Sequence, residues 1–208
     1  MLYILSIQLK YNYVQSLTYE KINIIYNFIF SFINHQCIRT KSEEGDLNKN
    51  KLNDKVVVEM DLKDETRSLR LQIFLSQPNK KLQLVVSSTK IIESQYPINK
   101  KGEHNGNNIP DFIIEDGNLK MLTDINNRKS SYEFRWNQNN FELIKISRVA
   151  WDGKNTTPET EIDLLTKTKL QFQQELGSDK MLNKKTQKVK INALPKIHDL
   201  SFSDLEKY

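Results

Sequence analysis

From residue 55 onward the sequence is a series of short β-type runs cut by compact turn signals, which leaves little besides an antiparallel sheet to fold into. Residues 131–136 show the pattern most clearly: Tyr132, Phe134 and Trp136 alternate with Glu133 and Arg135, the period of a strand with one buried face. Asp116-Gly117 is a strong two-residue hairpin signal between residues 111–115 and 118–122. Further runs are expected at 55–60, 69–75, 81–86, 141–146, 161–166, 169–173 and 187–191. Pro78-Asn79, Asn126-Asn127, Gln138-Asn139-Asn140 and Trp151-Asp152-Gly153 mark turns, and 96–110 and 177–185 are expected as loops. Residues 198–208 could close the chain as a short helix, with Ser203 capping its last turn. The fold class is therefore mainly β: antiparallel meanders in one β-rich domain over 41–208, preceded by a short helix or signal-like segment over 1–40.

The N-terminal 40 residues are of a different kind. Residues 22–33 are the most apolar stretch, shorter than the ~18–20 residues that span a bilayer. Lys21 precedes them, as in an export signal, and Cys37 has the place of a lipid-anchoring cysteine without its small neighbours. An amphipathic or buried helix capped by Ser16 or Thr18 is the other reading, and a misplaced start would account for the first 20 residues. Residues 41–53, rich in Asn and Lys, read as a linker.

Composition removes several function classes. The single cysteine excludes an internal disulfide and any multi-cysteine metal site. His35, His104 and His198 stand apart, without the spacing of a zinc site. No nucleophile elbow or other catalytic spacing is present, so no enzyme is expected. A net charge of +5, from 31 basic against 26 acidic residues, is too small to be a nucleic-acid footprint. The lysines at 180, 184, 185, 188, 190 and 196, with 167 and 169 before them, lack the interleaved aromatics of a single-strand binder. A solvated strand face, or lysines guarding an edge strand, explains them better.

One loop carries a chemical suggestion. Asp46, Asn48, Asn50 and Asp54 occupy the first, third, fifth and ninth positions of a short polar loop, and the Leu52 carbonyl falls at the seventh. Alternate oxygen donors suit calcium, a hard cation that takes six to eight oxygens. An EF-hand would need Glu at the twelfth position and a helix after it, whereas Val57 stands there in a β-branched run. Lys51 occupies the sixth position, where a left-handed backbone costs a non-glycine residue about 1 kcal/mol. The loop is thus either a weak calcium site or an Asx-rich turn that bonds its own backbone.

The spacing of residues 46–54 resembles the calcium loop of the FG-GAP (integrin-type) repeat, with Asn at two Asp positions and Lys51 for the glycine. With Leu71-Gln72-Ile73-Phe74, Ile114-Glu115-Asp116-Gly117-Asn118-Leu119, Tyr132-Glu133-Phe134-Arg135-Trp136 and Phe141-Glu142-Leu143-Ile144 in that order, residues 45–200 resemble an uncharacterised family of small exported or lipoprotein-like bacterial proteins. The resemblance extends to Leu164-Leu165-Thr166 and Leu194-Pro195-Lys196. It implies an extracytoplasmic β-rich module, periplasmic or membrane-anchored, with a protein or cell-envelope partner. It brings no catalytic residue. The expected function is non-catalytic binding or structure, with membrane attachment through the N-terminal segment. The alternative is an intracellular protein that grips an anionic partner through its basic C-terminal third.

Overall fold

The computed structural model describes residues 37–208 apart from Asn126, Asp152 and Lys154, so the expected signal or helix over residues 1–36 lies outside the described residues. Two sheets hold all eleven strands of the described residues. The first has four strands in chain order, β1 (Cys37–Gly45), β2 (Asp54–Asp61), β3 (Leu69–Ser76) and β4 (Leu82–Ser88). The second has seven, β5 (Asp111–Glu115), β6 (Asn118–Ile125), β7 (Arg128–Asn137), β8 (Asn140–Ala150), β9 (Thr156–Asp163), β10 (Thr168–Glu175) and β11 (Met181–Lys188), each beside its sequence neighbour. β2–β4 and β5–β11 pair antiparallel throughout, the meanders that the turn signals imply.

The two sheets share one core. Val56 and Val58 of β2 and Leu69, Leu71 and Ile73 of β3 join Leu119, Met121, Tyr132, Phe134, Phe141 and Leu143 in a single buried cluster. A fully buried side chain of this size contributes about 1.5–3 kcal/mol, so this alternation is the main force behind the architecture. Hairpin turns place residues in the left-handed region, as the short connections require: Asp116 (φ 52°) and Gly117 (φ 75°), then Gln138 (φ 44°) and Asn139 (φ 63°). Residues 96–110 are a loop, with one 3-10 turn at Ile98–Lys100.

Four expectations are corrected. Residues 41–53 are not all linker: β1 runs to Gly45 as an edge strand, where a charged composition is natural because one side pairs and little is buried. Its Lys41 reaches Asp111 of β5, and its Glu44 reaches Lys55 of β2. The 161–166 strand lies earlier, as β9, because Asp163 starts a turn by accepting from the Thr166 N–H (2.8 Å). Pro158 is tolerated in β9 because it stands outside the register with β8, which covers only Glu159 to Asp163. The expected 177–185 loop and 187–191 strand are replaced by β11, which is exposed almost throughout and so carries no alternation to read.

The fourth correction concerns the C-terminus. The helix is one short turn, α1 (Phe202–Glu206), and its cap is Ser201, not Ser203. Ser201 and Asp204 form a capping box, each side chain answering the other's backbone N–H. Before it, Pro195 accepts from the Leu143 N–H and the Ile197 N–H donates to Phe141, both at 2.8 Å, so the chain extends β8 where β9 has not yet begun to pair. The Phe202 N–H then reaches Lys90 beyond β4 (2.8 Å), tying this segment to both sheets.

Candidate functional site

The 45–54 loop joins β1 to β2, and its shape follows from its own side chains. Asp46 accepts from the Asn50 N–H through Oδ1 (3.1 Å) and from the Lys51 N–H through Oδ2 (2.7 Å). Asn48 Oδ1 accepts from the same Asn50 N–H (3.2 Å), which draws the Asp46 and Asn48 oxygens to one point. Asn50 Oδ1 accepts from the Leu52 N–H (2.8 Å), and its amide donates to the Ser76 carbonyl (3.2 Å). These are successive Asx turns. They hold Lys49 (φ 61°) and Lys51 (φ 66°) in the left-handed region, so the sixth position has the conformation the spacing demands without the glycine that would ease it.

Asp54 has a second task. Its carboxylate is fully buried, accepting from the Leu47 N–H through Oδ2 (2.8 Å) and the Ser76 N–H through Oδ1 (2.7 Å). Ser76 in turn donates its hydroxyl to the Asn53 carbonyl. Asp54 thus ties the front of the loop to the end of β3. Burial pushes its carboxyl up, the two N–H donors pull it down, and the Asp46 carboxylate adds a further upward push.

Packing fixes the loop from outside. Leu47 is buried in the core, and Gly45 has no room for a side chain, since a Cβ there would stand 2.9 Å from Ile114 of β5. The stem of Lys49 lies over the β5–β6 turn, where a Cβ on Gly117 would come 2.5 Å from Lys49 Cε.

The donor set is all oxygen, the ligand type that hard cations take. Its members are carboxylate, amide and carbonyl oxygens, and each accepting oxygen has a second lone pair beyond the N–H it holds. Asp46 and Asn48 are brought together by a shared donor, while Asp54 is drawn toward the backbone of Leu47 and Ser76. Among the described residues no group of three or more His, Cys, Asp or Glu side chains is placed to hold a metal ion, so any site here relies on its amide and carbonyl oxygens.

Other marked residues have structural places. Tyr132 and Phe134 are fully buried, and Trp136 tilts against Phe141 with ring centroids 5.0 Å apart. His104 pairs with Gln95 (3.0 Å) and sets its ring edge-on to Tyr96. Glu115 is held low by Lys120, while Asp116 forms the turn. Lys184, Lys185 and Lys188 are exposed along β11, an edge of its sheet. Among the described residues no helix is long and apolar enough to cross a membrane.

A polar cluster at the C-terminus escapes sequence reading. Arg148, buried on β8, donates to the carbonyls of Leu205 (2.6 Å) and Tyr208, at the C-terminal end of α1. Glu206 accepts from the Tyr132 hydroxyl (2.7 Å) and pairs with Arg128. Burial, then the Glu206 carboxylate, pushes the Tyr132 phenol up. No local motif announces these contacts, because the partners stand 57 to 78 residues apart in the chain. No protein-family model, no curated protein and no solved structure gives a match to this chain.

Proposed function

We propose that this chain is a non-catalytic, extracytoplasmic binding or structural module whose 45–54 loop takes a calcium ion weakly. The observation that carries the reading is the convergence of the Asp46 and Asn48 oxygens on one N–H, between two left-handed lysines. Asp46, Asn48, Asn50, the Leu52 carbonyl and Asp54 would hold the ion. Its charge would offset the burial of Asp54 beside Asp46 and pin the loop to β2 and β3. Two formal charges and two neighbouring lysines place the affinity at the weak end, about 1 mM, as in extracellular calcium modules. The resemblance to exported proteins that open on an FG-GAP-like loop belongs to the same proposal and supplies its compartment.

The test is a thermal melt of the full chain with calcium and with chelator. At about 10 mM calcium a 1 mM site stabilises by about 1.4 kcal/mol, which raises the melting temperature by roughly 3–6 °C. Asp46→Ala removes that rise. An unchanged melt with calcium makes the loop a self-bonded Asx turn, and a rise that survives Asp46→Ala moves the site elsewhere.

A second reading, an intracellular protein that binds an anionic partner, draws on the exposed lysines of β11. Binding to heparin that falls steeply with salt supports it, and secretion of the mature chain counts against it.

A further inference from the structure

The outer face of the seven-stranded sheet, away from the shared core, is hollowed. Two cavities of about 430 and 520 Å³ lie side by side on it and share Asp124, Lys129 and Val149. A third, of about 390 Å³, continues past Thr157 and Leu176 to the turn before β11. Strand register explains the hollow. One row across the sheet places Ser131 beside Leu122 and Ser147, and the next places Lys129 beside Asp124 and Val149. Two serines in the middle of a sheet face leave the depth that larger side chains would fill. Trp151, 64% exposed, stands at the rim of the second cavity.

The lining polar groups toward the β10 end are bonded within the protein, Thr157 to Glu159 and Gln174 to Ser178, but those over β6 to β8 are not. Among the described residues, the side chains of Asp124, Asn127, Lys129, Ser131 and Ser147 make no hydrogen bond or ion pair, although Asp124 and Lys129 are register partners. We propose that this groove binds a neutral linear oligosaccharide, with Trp151 stacking on a sugar ring and these side chains pairing with its hydroxyls.

Three features select that ligand class. An indole exposed to this extent offers an apolar face for the C–H side of a pyranose. The charged lining is mostly acidic, Asp111, Asp124, Glu159, Glu175 and Asp179 against Lys129, which opposes a polyanion while leaving donors and acceptors for neutral hydroxyls. An extended peptide would seek a sheet edge, but the backbone groups of β6 to β9 are engaged with their neighbours, so this face cannot add a strand. The groove crosses β6 to β10, roughly 19 Å at about 4.8 Å per strand, which suits a short chain of sugars better than a single one. None of the 45–54 loop residues lines it, so the inference does not depend on calcium.

The experiment titrates the full chain with cellohexaose, maltohexaose, chitohexaose and mannohexaose, following tryptophan fluorescence and heat of binding. The expected result is saturable binding of at least one, at about millimolar or tighter. Trp151→Ala and Ser147→Leu, which removes the platform and fills the hollow respectively, each weaken it by about tenfold or more. Both sites lie on the surface, so the melting temperatures of the variants change little and a loss of binding reports on the groove. No saturation by any of the four up to about 10 mM overturns the proposal, as does binding that both variants retain.

Discussion

The 45–54 loop and the C-terminal segment 194–208 perform similar tasks by opposite means. Each secures an end of the strands through hydrogen bonds made by side chains. In the loop most partners lie two to seven residues apart: Asn48 with Asn50, Asp46 with Lys51, Asp54 with Leu47. At the C-terminus Arg148 reaches across 57 residues to Leu205, and Tyr132 across 74 to Glu206. A local knot forms with little loss of chain entropy and contributes little to the overall topology. The distant clamp forms only after the sheet exists, and it then locks β7, β8 and α1 together. Asp54 stands between the two kinds, because its bond to Ser76 spans 22 residues.

That contrast predicts an order of damage. Arg148→Met should be the most harmful: it removes the donors that satisfy the Leu205 and Tyr208 carbonyls while keeping much of the packing. We expect a loss of about 3 kcal/mol, measured as a lower midpoint in urea unfolding. A loss under about 1 kcal/mol would mean that apolar contacts alone hold the terminus.

Asp54→Asn should come next. The amide keeps one acceptor oxygen for two buried donors, Leu47 N–H and Ser76 N–H, and leaves one unmet, at about 1–3 kcal/mol. If the variant matches the parent, the loop is held by Asp46 and Asn48 without its anchor on β3. The smallest effect is a gain. Lys51→Gly relieves a left-handed lysine at φ 66° and should stabilise by about 0.5–1 kcal/mol in the same assay. Unchanged stability there would show that the entropy of the unfolded glycine offsets the relief.

The contrast also divides what could be read from what could not. The central strands were legible because one face of each is buried: Tyr132 and Phe134, or Leu69, Leu71 and Ile73, alternate with polar neighbours. β1 and β11 were missed or misplaced because, as edge strands with little burial, they leave no periodic trace. In the candidate site, the left-handed backbone at Lys51 and the Asx turns followed from residue spacing. The burial of Asp54 and its hold on Ser76 did not, because β3 is brought beside the loop only by the folded sheet.

The sequence by itself determined the β character of the chain, its hairpin turns and the inward residues of the central strands, since each depends on contacts within a few residues or on a period of two. Only the tertiary structure decided that the strands divide into sheets of four and seven. It alone placed Arg148 beneath the end of α1 and set two serines side by side on an open face. Those outcomes depend on pairings between distant segments, which a one-dimensional pattern constrains but does not specify.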